Sequence, residues 1–224
     1  RLDQVDTSTC QQAAVKVFLG NCSPVEGFSF GVKHDPAVIA VTGATFSGAA
    51  AALRGGQGPE FFHAVLHPLT AECQSASAGV IVSMIGSTSD PQGGALPPSP
   101  GETGQEVVTI TYSPAPGVNP GAESALEFVD CLRSNANTEK TACVVTSNEK
   151  AVTPVMIAGR LSIVSRCFQR GDCNDDGAFD NSDPVKLLTF LFVGDPKTPP
   201  CLEACNANND ENGLDVSDGI RMLD

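Results

Sequence analysis

Between residues 28 and 33 the chain runs Phe28-Ser29-Phe30-Gly31-Val32-Lys33, apolar and small or polar in strict alternation. A period of two sends successive side chains to opposite faces of a strand, so this stretch predicts a strand with one face buried. The same alternation sets Val107, Thr109 and Thr111 against Val108, Ile110 and Tyr112, and Leu161 and Ile163 against Ser162 and Val164. Shorter apolar or β-branched runs at 14–19, 38–42, 60–65, 79–85, 124–129 and 142–146 extend the set, and the last strand is placed at 155–163. Turn material separates them: Asp35-Pro36, Gly55-Gly56-Gln57-Gly58 and the Pro- and Gly-rich stretch 114–121. Residues 87–103, rich in Ser, Gly and Pro, predict a long exposed loop, and 49–53 at most a helical turn. About nine short strands without intervening helices predict an antiparallel β-sandwich, placed over residues 1–165.

The pattern changes over 166–224. Asp172-Cys173-Asn174-Asp175-Asp176-Gly177-Ala178-Phe179-Asp180-Asn181-Ser182-Asp183 carries oxygen-bearing side chains at loop positions 1, 3, 5, 9 and 12, with Gly at 6 and an apolar residue at 8. Calcium takes six to eight oxygens, and this spacing lets alternate side chains of a tight loop point inward together. Position 7 can add its carbonyl, Gly177 permits the sharp turn, and Phe179 is placed to anchor the loop to its neighbour. A helix is expected over 184–192, with Pro184 in its first turn and Val185, Leu188, Leu191 and Phe192 along one side.

This pattern occurs twice. Asp180-Asn181-Ser182-Asp183-Pro184-Val185-Lys186-Leu187-Leu188 lies over Asp215-Val216-Ser217-Asp218-Gly219-Ile220-Arg221-Met222-Leu223. Upstream, Asn206, Asn208 and Asp210 fall over Asp172, Asn174 and Asp176, with one residue inserted around Glu211-Asn212-Gly213. A repeat that joins metal spacing to a helix pattern is far stronger than one acidic run. With neutral Asn206 at position 1 and a displaced turn, the second loop is expected to hold calcium more loosely, or to be completed by Asn212 or water.

Charge sharpens the division. Residues 1–165 hold 14 acids and 8 bases, whereas 166–224 hold 12 acids and 5 bases in a stretch about a third as long. Bound cations are the usual way to offset such crowding. The overall net charge of −13 argues against a nucleic-acid partner, since nothing here would release phosphate counterions. No run of about 20 apolar residues is present to form a transmembrane helix. Nine cysteines with no CxxC pair and only three His favour disulfides of an oxidising compartment over zinc. The expected pairs are Cys173–Cys205, Cys167–Cys201, Cys131–Cys143 and Cys10–Cys22, leaving Cys73 single. The absence of an initiator Met fits a processed secreted chain, and Asn21-Cys22-Ser23 fits the N-glycosylation pattern.

Residues 171–223 resemble a type I dockerin domain, the duplicated loop–helix module that binds two calcium ions and docks into cohesins. The resemblance implies ligands at Asp172, Asn174, Asp176, the Ala178 carbonyl, Asp180 (often through water) and Asp183 in the first repeat. In the second it implies Asn206, Asn208, Asp210, Asp215 and Asp218. The recognition pair of that family stands here as Asn181-Ser182 and Val216-Ser217, a departure from its Ser-Thr form. Residues 12–165 resemble a cohesin-like or carbohydrate-module-like β-sandwich through the string from Val25 to Val38 and through Leu126-Glu127-Phe128-Val129-Asp130. Secreted planctomycete-type bacterial proteins join such parts. Because the second repeat stops six residues after Asp218, where the first carries its helix to Phe192, the mature chain is expected to continue past Asp224.

The expectation is therefore a secreted or cell-surface structural or adhesion protein, stabilised by two calcium ions and acting by docking on a protein partner or another copy of itself. Head-to-tail docking would propagate into fibres. A polysaccharide-binding module tethered by the dockerin-like unit is the alternative. Catalysis is not expected. His63 and His67 lie in a strand-like run, about 13 Å apart if extended, and no nucleophile-elbow, Walker or HExxH signature occurs. A hydrolase would have to draw on an unrecognised carboxylate pair among Glu102, Glu106 and Glu127.

Overall fold

The computed structural model describes residues 1–67, 73, 78–89, 93–101, 103–135, 138–165, 168–194 and 198–224. It divides the chain into two compact units, 1–165 and 166–224.

The first unit is a β-sandwich. Its strands are β1 (Gln4–Ser8), β2 (Ala13–Leu19), β3 (Gly27–His34), β4 (Ile39–Phe46), β5 (Phe61–Val65), β6 (Ala78–Ile85), β7 (Gln105–Pro114), β8 (Glu123–Phe128), β9 (Val144–Ser147), β10 (Lys150–Val152) and β11 (Gly159–Ser165). Two helical turns, α1 (Gly48–Ala51) and α2 (Leu53–Gly56), follow β4. One sheet runs β2-β7-β4; the other runs β1-β11-β8-β3-β6-β5, with β9 paired to β3 and β10 to β9. From Val108 to Tyr112 the alternation at β7 does what it predicts, but Val107, skipped at a register shift opposite Val17 and Phe18, is buried as well. Val108, Ile110 and Tyr112 are fully buried against Phe28, Phe30, Val32, Val80, Val82 and Met84 of the facing sheet. Burying each such side chain contributes about 1.5–3 kcal/mol.

Several expectations are corrected. Eleven strands are described, not nine; β1 and β10 were not foreseen, and the last strand begins at Gly159, leaving 155–158 outside it. The sandwich is not wholly antiparallel, because β1 pairs parallel to β11, Gln4 opposite Arg160 and Thr7 opposite Ile163. Gly159 makes that approach possible: a Cβ there would run into Leu2 and the Asp3 carbonyl.

The cysteines pair differently as well. Cys73 is bonded to Cys131, with Cα atoms 5.4 Å apart, and Cys143 is a buried free thiol. The two belong to different layers. Cys73 and Cys131 pack with Ile81 and Leu132 in a satellite cluster, while Cys143 joins the main core. Cys143 sits against the Val129 carbonyl and its amide donates to Asp130 Oδ1 at 2.7 Å. Burial pushes its thiol pKa up to about 11. Cys10 is disulfide-bonded, but not to Cys22, which is exposed and free. Cys201 is also free, so the bridge expected to Cys167, which lies outside the described residues, is not made.

The second unit contains α3 (Ser182–Leu188), which continues as a π-type turn through Thr189–Val193, then α4 (Leu202–Cys205) and α5 (Val216–Leu223). Its core is small: Leu187 and Met222 close over the Cys173–Cys205 disulfide, joined by half-buried Leu191, Ala207 and Leu214. Leu187 and Met222 occupy equivalent positions of the two repeats. The helix side expected from Val185 to Phe192 is divided: Leu188 and Leu191 are half-buried, whereas Val185 and Phe192 remain exposed.

Candidate metal loops

Each repeat places one aspartate, fully buried, at the start of its helix: Asp183 in the first turn of α3, Asp218 in the first turn of α5. Neither takes part in an ion pair among the described residues. Each is held instead by main-chain donors from both ends of its loop. Asp183 Oδ1 accepts from Cys173 N at 2.9 Å and Asn174 N at 3.3 Å, and its Oδ2 accepts from Asp180 N at 2.9 Å. Asp218 repeats this, with Asn208 N at 3.2 Å and Asp215 N at 3.0 Å. The last residue of each loop thus ties the entering segment to the helix start.

Asp172, also buried, organises the first turn. Its two oxygens accept from Asp176 N at 3.1 Å and Gly177 N at 2.9 Å. Asp175 and Gly177 adopt positive φ, as the sharp turn requires. Asn174 donates to Asp176 Oδ2 at 2.8 Å and to Ser182 Oγ at 2.6 Å; Asn208 does the same with Asp210 at 2.8 Å and Ser217 at 2.8 Å. Asn209, like Asp175, has positive φ. Asp180 and Asp215 each accept from the amide of the Ser two residues on, and these serine contacts hold both carboxyls below the usual carboxylate range. The pseudo-equivalence read from sequence therefore extends to the hydrogen bonds.

The first positions differ. Asp172 is satisfied, whereas Asn206, its counterpart, has a buried Oδ1 without a partner while its Nδ2 donates to the Asp210 carbonyl at 2.9 Å. An unsatisfied buried acceptor costs about 1–3 kcal/mol, and a cation at the loop would relieve it. Arg170 fixes the backbone here, donating to the Asn206 carbonyl at 2.6 Å and the Glu203 carbonyl at 3.1 Å, and pairing with Glu203 Oε1 at 3.0 Å. No sequence pattern marks Arg170; it acts through α4, which the sequence reading missed. Ala178 and Asp180 are exposed on the rim, and Ala178 N donates to Asp176 Oδ1 at 2.9 Å. Asn212 N does likewise to Asp210 Oδ1 at 2.9 Å. Phe179, half exposed, lies over Gly171.

Among the described residues, no three His, Cys, Asp or Glu side chains converge as a metal cluster by themselves. The donor set assigned to each loop is instead mixed, with carboxylates, Asn amides and, in the first loop, a main-chain carbonyl. All donors are oxygens, and the uncompensated carboxylates lie at the base. That chemistry suits a hard divalent cation.

The other sequence candidates are dispersed. Glu106 on β7 pairs with Lys16 at 2.8 Å, which holds its carboxyl low, and Glu127 on β8 pairs with Lys33 at 2.8 Å in the other sheet. Glu102 lies outside the described residues. His63 stacks on Phe61, and His67 lies beyond the end of β5. The Asn21 side chain is engaged, donating to the Ser23 and Pro97 carbonyls and accepting from Gln105.

No protein-family model and no curated protein matches the sequence. Solved structures match in shape. The third ScaC cohesin of Acetivibrio cellulolyticus, solved with the ScaB dockerin, is 10% identical and has a TM-score of 0.50, covering 73% of this chain and 99% of its own. The OlpA cohesin of Clostridium thermocellum, solved with a dockerin, is 15% identical with a TM-score of 0.49, over 73% and 96%. The sixth cohesin of A. cellulolyticus scaffoldin B is 9% identical with a TM-score of 0.49, over 72% and 95%. At such identities the likeness concerns fold alone, and with the ScaC cohesin it is that of a cohesin-like β-sandwich.

Proposed function

We propose that this chain is a secreted, calcium-stabilised docking protein of an extracellular or cell-surface assembly, without catalytic activity of its own. Two calcium ions would be held by Asp172, Asn174, Asp176, the Ala178 carbonyl, Asp180 and Asp183, and by Asn206, Asn208, Asp210, Asp215 and Asp218. Bound calcium would neutralise the buried carboxylates and stiffen the loops that orient α3 and α5. The observation that carries this reading is the pair of buried aspartates, Asp183 and Asp218, equivalent in sequence, in hydrogen bonding and, among the described residues, in lacking a cationic partner.

Docking is supported by the exposed apolar side chains of the same helices. Val185 and Ile220, equivalent in the repeats, are 61% and 56% exposed, and Phe192, two turns on from Val185, and Leu223, one turn on from Ile220, are exposed as well. Cohesin-fold structures solved with dockerins bind such modules, so the partner proposed here is a sandwich, of another protein or another copy of this chain. The second arrangement is head-to-tail and open, and it grows fibres.

Calorimetric calcium titration of the full chain tests the loops. Asp183→Ala should remove the tighter of two binding events, while Asp175→Asn, which keeps a residue tolerant of positive φ, should change affinity less than threefold. Equal losses would refute the loop assignment. Light scattering in calcium and then in EDTA tests assembly, and a monomer in both at high concentration rules out self-docking.

A further inference from the structure

The sandwich contains a cavity of about 460 Å³ between its two sheets, with Val17 and Val107 on one side and Phe28, Phe30, Phe128 and Val145 on the other. Its volume falls within the range of small-ligand pockets. The packed aromatic walls, with Phe30 stacked on Phe28 and edge-on to Phe128, leave it open at a lip that includes Arg1, Cys22 and Val155.

Arg1 is the sole charged residue among the described residues lining this cavity. Its backbone is fixed by the Phe18 amide, which donates to the Arg1 carbonyl at 2.8 Å, and its guanidinium lies 4.9 Å from the centre of the Phe18 ring. The ring offers a cation–π contact but no hydrogen-bond acceptor, and Arg1 Nε is buried without a partner. Buried donors are almost always satisfied, by protein, water or ligand. A guanidinium fork held at the mouth of an apolar slot is matched by a carboxylate, which accepts two parallel N–H bonds.

We propose that this cavity binds a single-chain amphiphile, an apolar tail with a carboxylate head of the medium-chain fatty-acid class, with Arg1 holding the head. The tail displaces poorly bonded water from the Phe and Val walls, and the head supplies the acceptor that Arg1 Nε lacks. The site lies wholly within the sandwich and is independent of calcium.

The chain contains no Trp, so Val155→Trp, at a lip position 89% exposed, installs a unique fluorophore at little risk to folding. Titration of this full-length variant with decanoate, below its micellar concentration, should give a saturable blue shift. Decan-1-ol should bind at least tenfold more weakly, and adding Arg1→Gln should bring the two within about threefold. In the unaltered protein, decanoate should slow iodoacetamide alkylation of Cys22 at least fivefold and leave Cys201 unchanged, as read by peptide mass. Absence of both saturation and Cys22 protection in protein with intact circular dichroism overturns the site. Equal affinity for acid and alcohol, or a preference that survives Arg1→Gln, overturns the role of Arg1.

Discussion

Removing the Cys173–Cys205 bridge by the double substitution Cys173→Ala/Cys205→Ala isolates what holds the C-terminal unit together. The bridge spans 32 residues of sequence, and the loop-entropy relation assigns such a closure about 3.7 kcal/mol. A unit of this size carries roughly 3–9 kcal/mol of total stability at typical values per residue. This one belongs at the low end, since among the described residues its buried apolar cluster adds to the two cysteines only Leu187 and Met222. Without the bridge the unit is left near zero. If the proposed calcium sites are occupied at a hundredfold excess over Kd, they return about 2.7 kcal/mol each. The double variant should therefore be unfolded over 166–224 in EDTA and folded in millimolar calcium, while the wild type stays folded in both. Hydrogen exchange with peptide mass readout follows α3 and α5 directly, with β3 and β6 as internal references. Protection of α3 and α5 in the variant in EDTA equal to that of the wild type would show that the bridge is not limiting. Failure of calcium to restore protection would refute the metal loops.

Burial lowers the pKa of His34 to about 4, against 6.5 in an unfolded chain. Its contribution is fully present above pH 6.5 and is lost as pH falls towards 4, about 3 kcal/mol in all. Urea titrations of wild type and His34→Leu at pH 7 and pH 4.5 should show a smaller pH-dependent loss in the variant; parallel losses would remove His34 as the source. Gly159→Ala, whose new methyl meets Leu2 and the Asp3 carbonyl, should cost about 1–3 kcal/mol and expose β1 to limited proteolysis first. An unchanged melting temperature and cleavage pattern would contradict the close pairing of β1 with β11.

Strands with a buried face were legible because alternation is local: β3 and β7 announce themselves in Phe28-Ser29-Phe30 and Val107–Tyr112. β1 was not, because Gln4–Ser8 is an edge strand with only Thr7 buried, and its partner lies more than 150 residues away. β6 shows a different limit. Val80, Val82 and Met84 face the main core while Ile81 serves the satellite cluster behind it, so its run is apolar on both faces. That second layer is also why Cys131 joins Cys73, distant in sequence, and not Cys143. The matching hydrogen bonds around Asp183 and Asp218 were legible through the spacing of Asp and Asn, and Cys173–Cys205 through the repeat. The orphaned Asn206 oxygen and the Arg170 clamp depend on α4, four residues whose short apolar content carries no period.

The parallel register of β1 and β11 has a mechanical consequence. Tension applied through the start of β1 and the end of β11 pulls the two strands lengthwise past each other, because they point the same way and are loaded at opposite tips. The rungs between them then share the load and must fail together, whereas a hairpin pulled from its open end peels one rung at a time. A sandwich built this way resists being drawn out along its own chain.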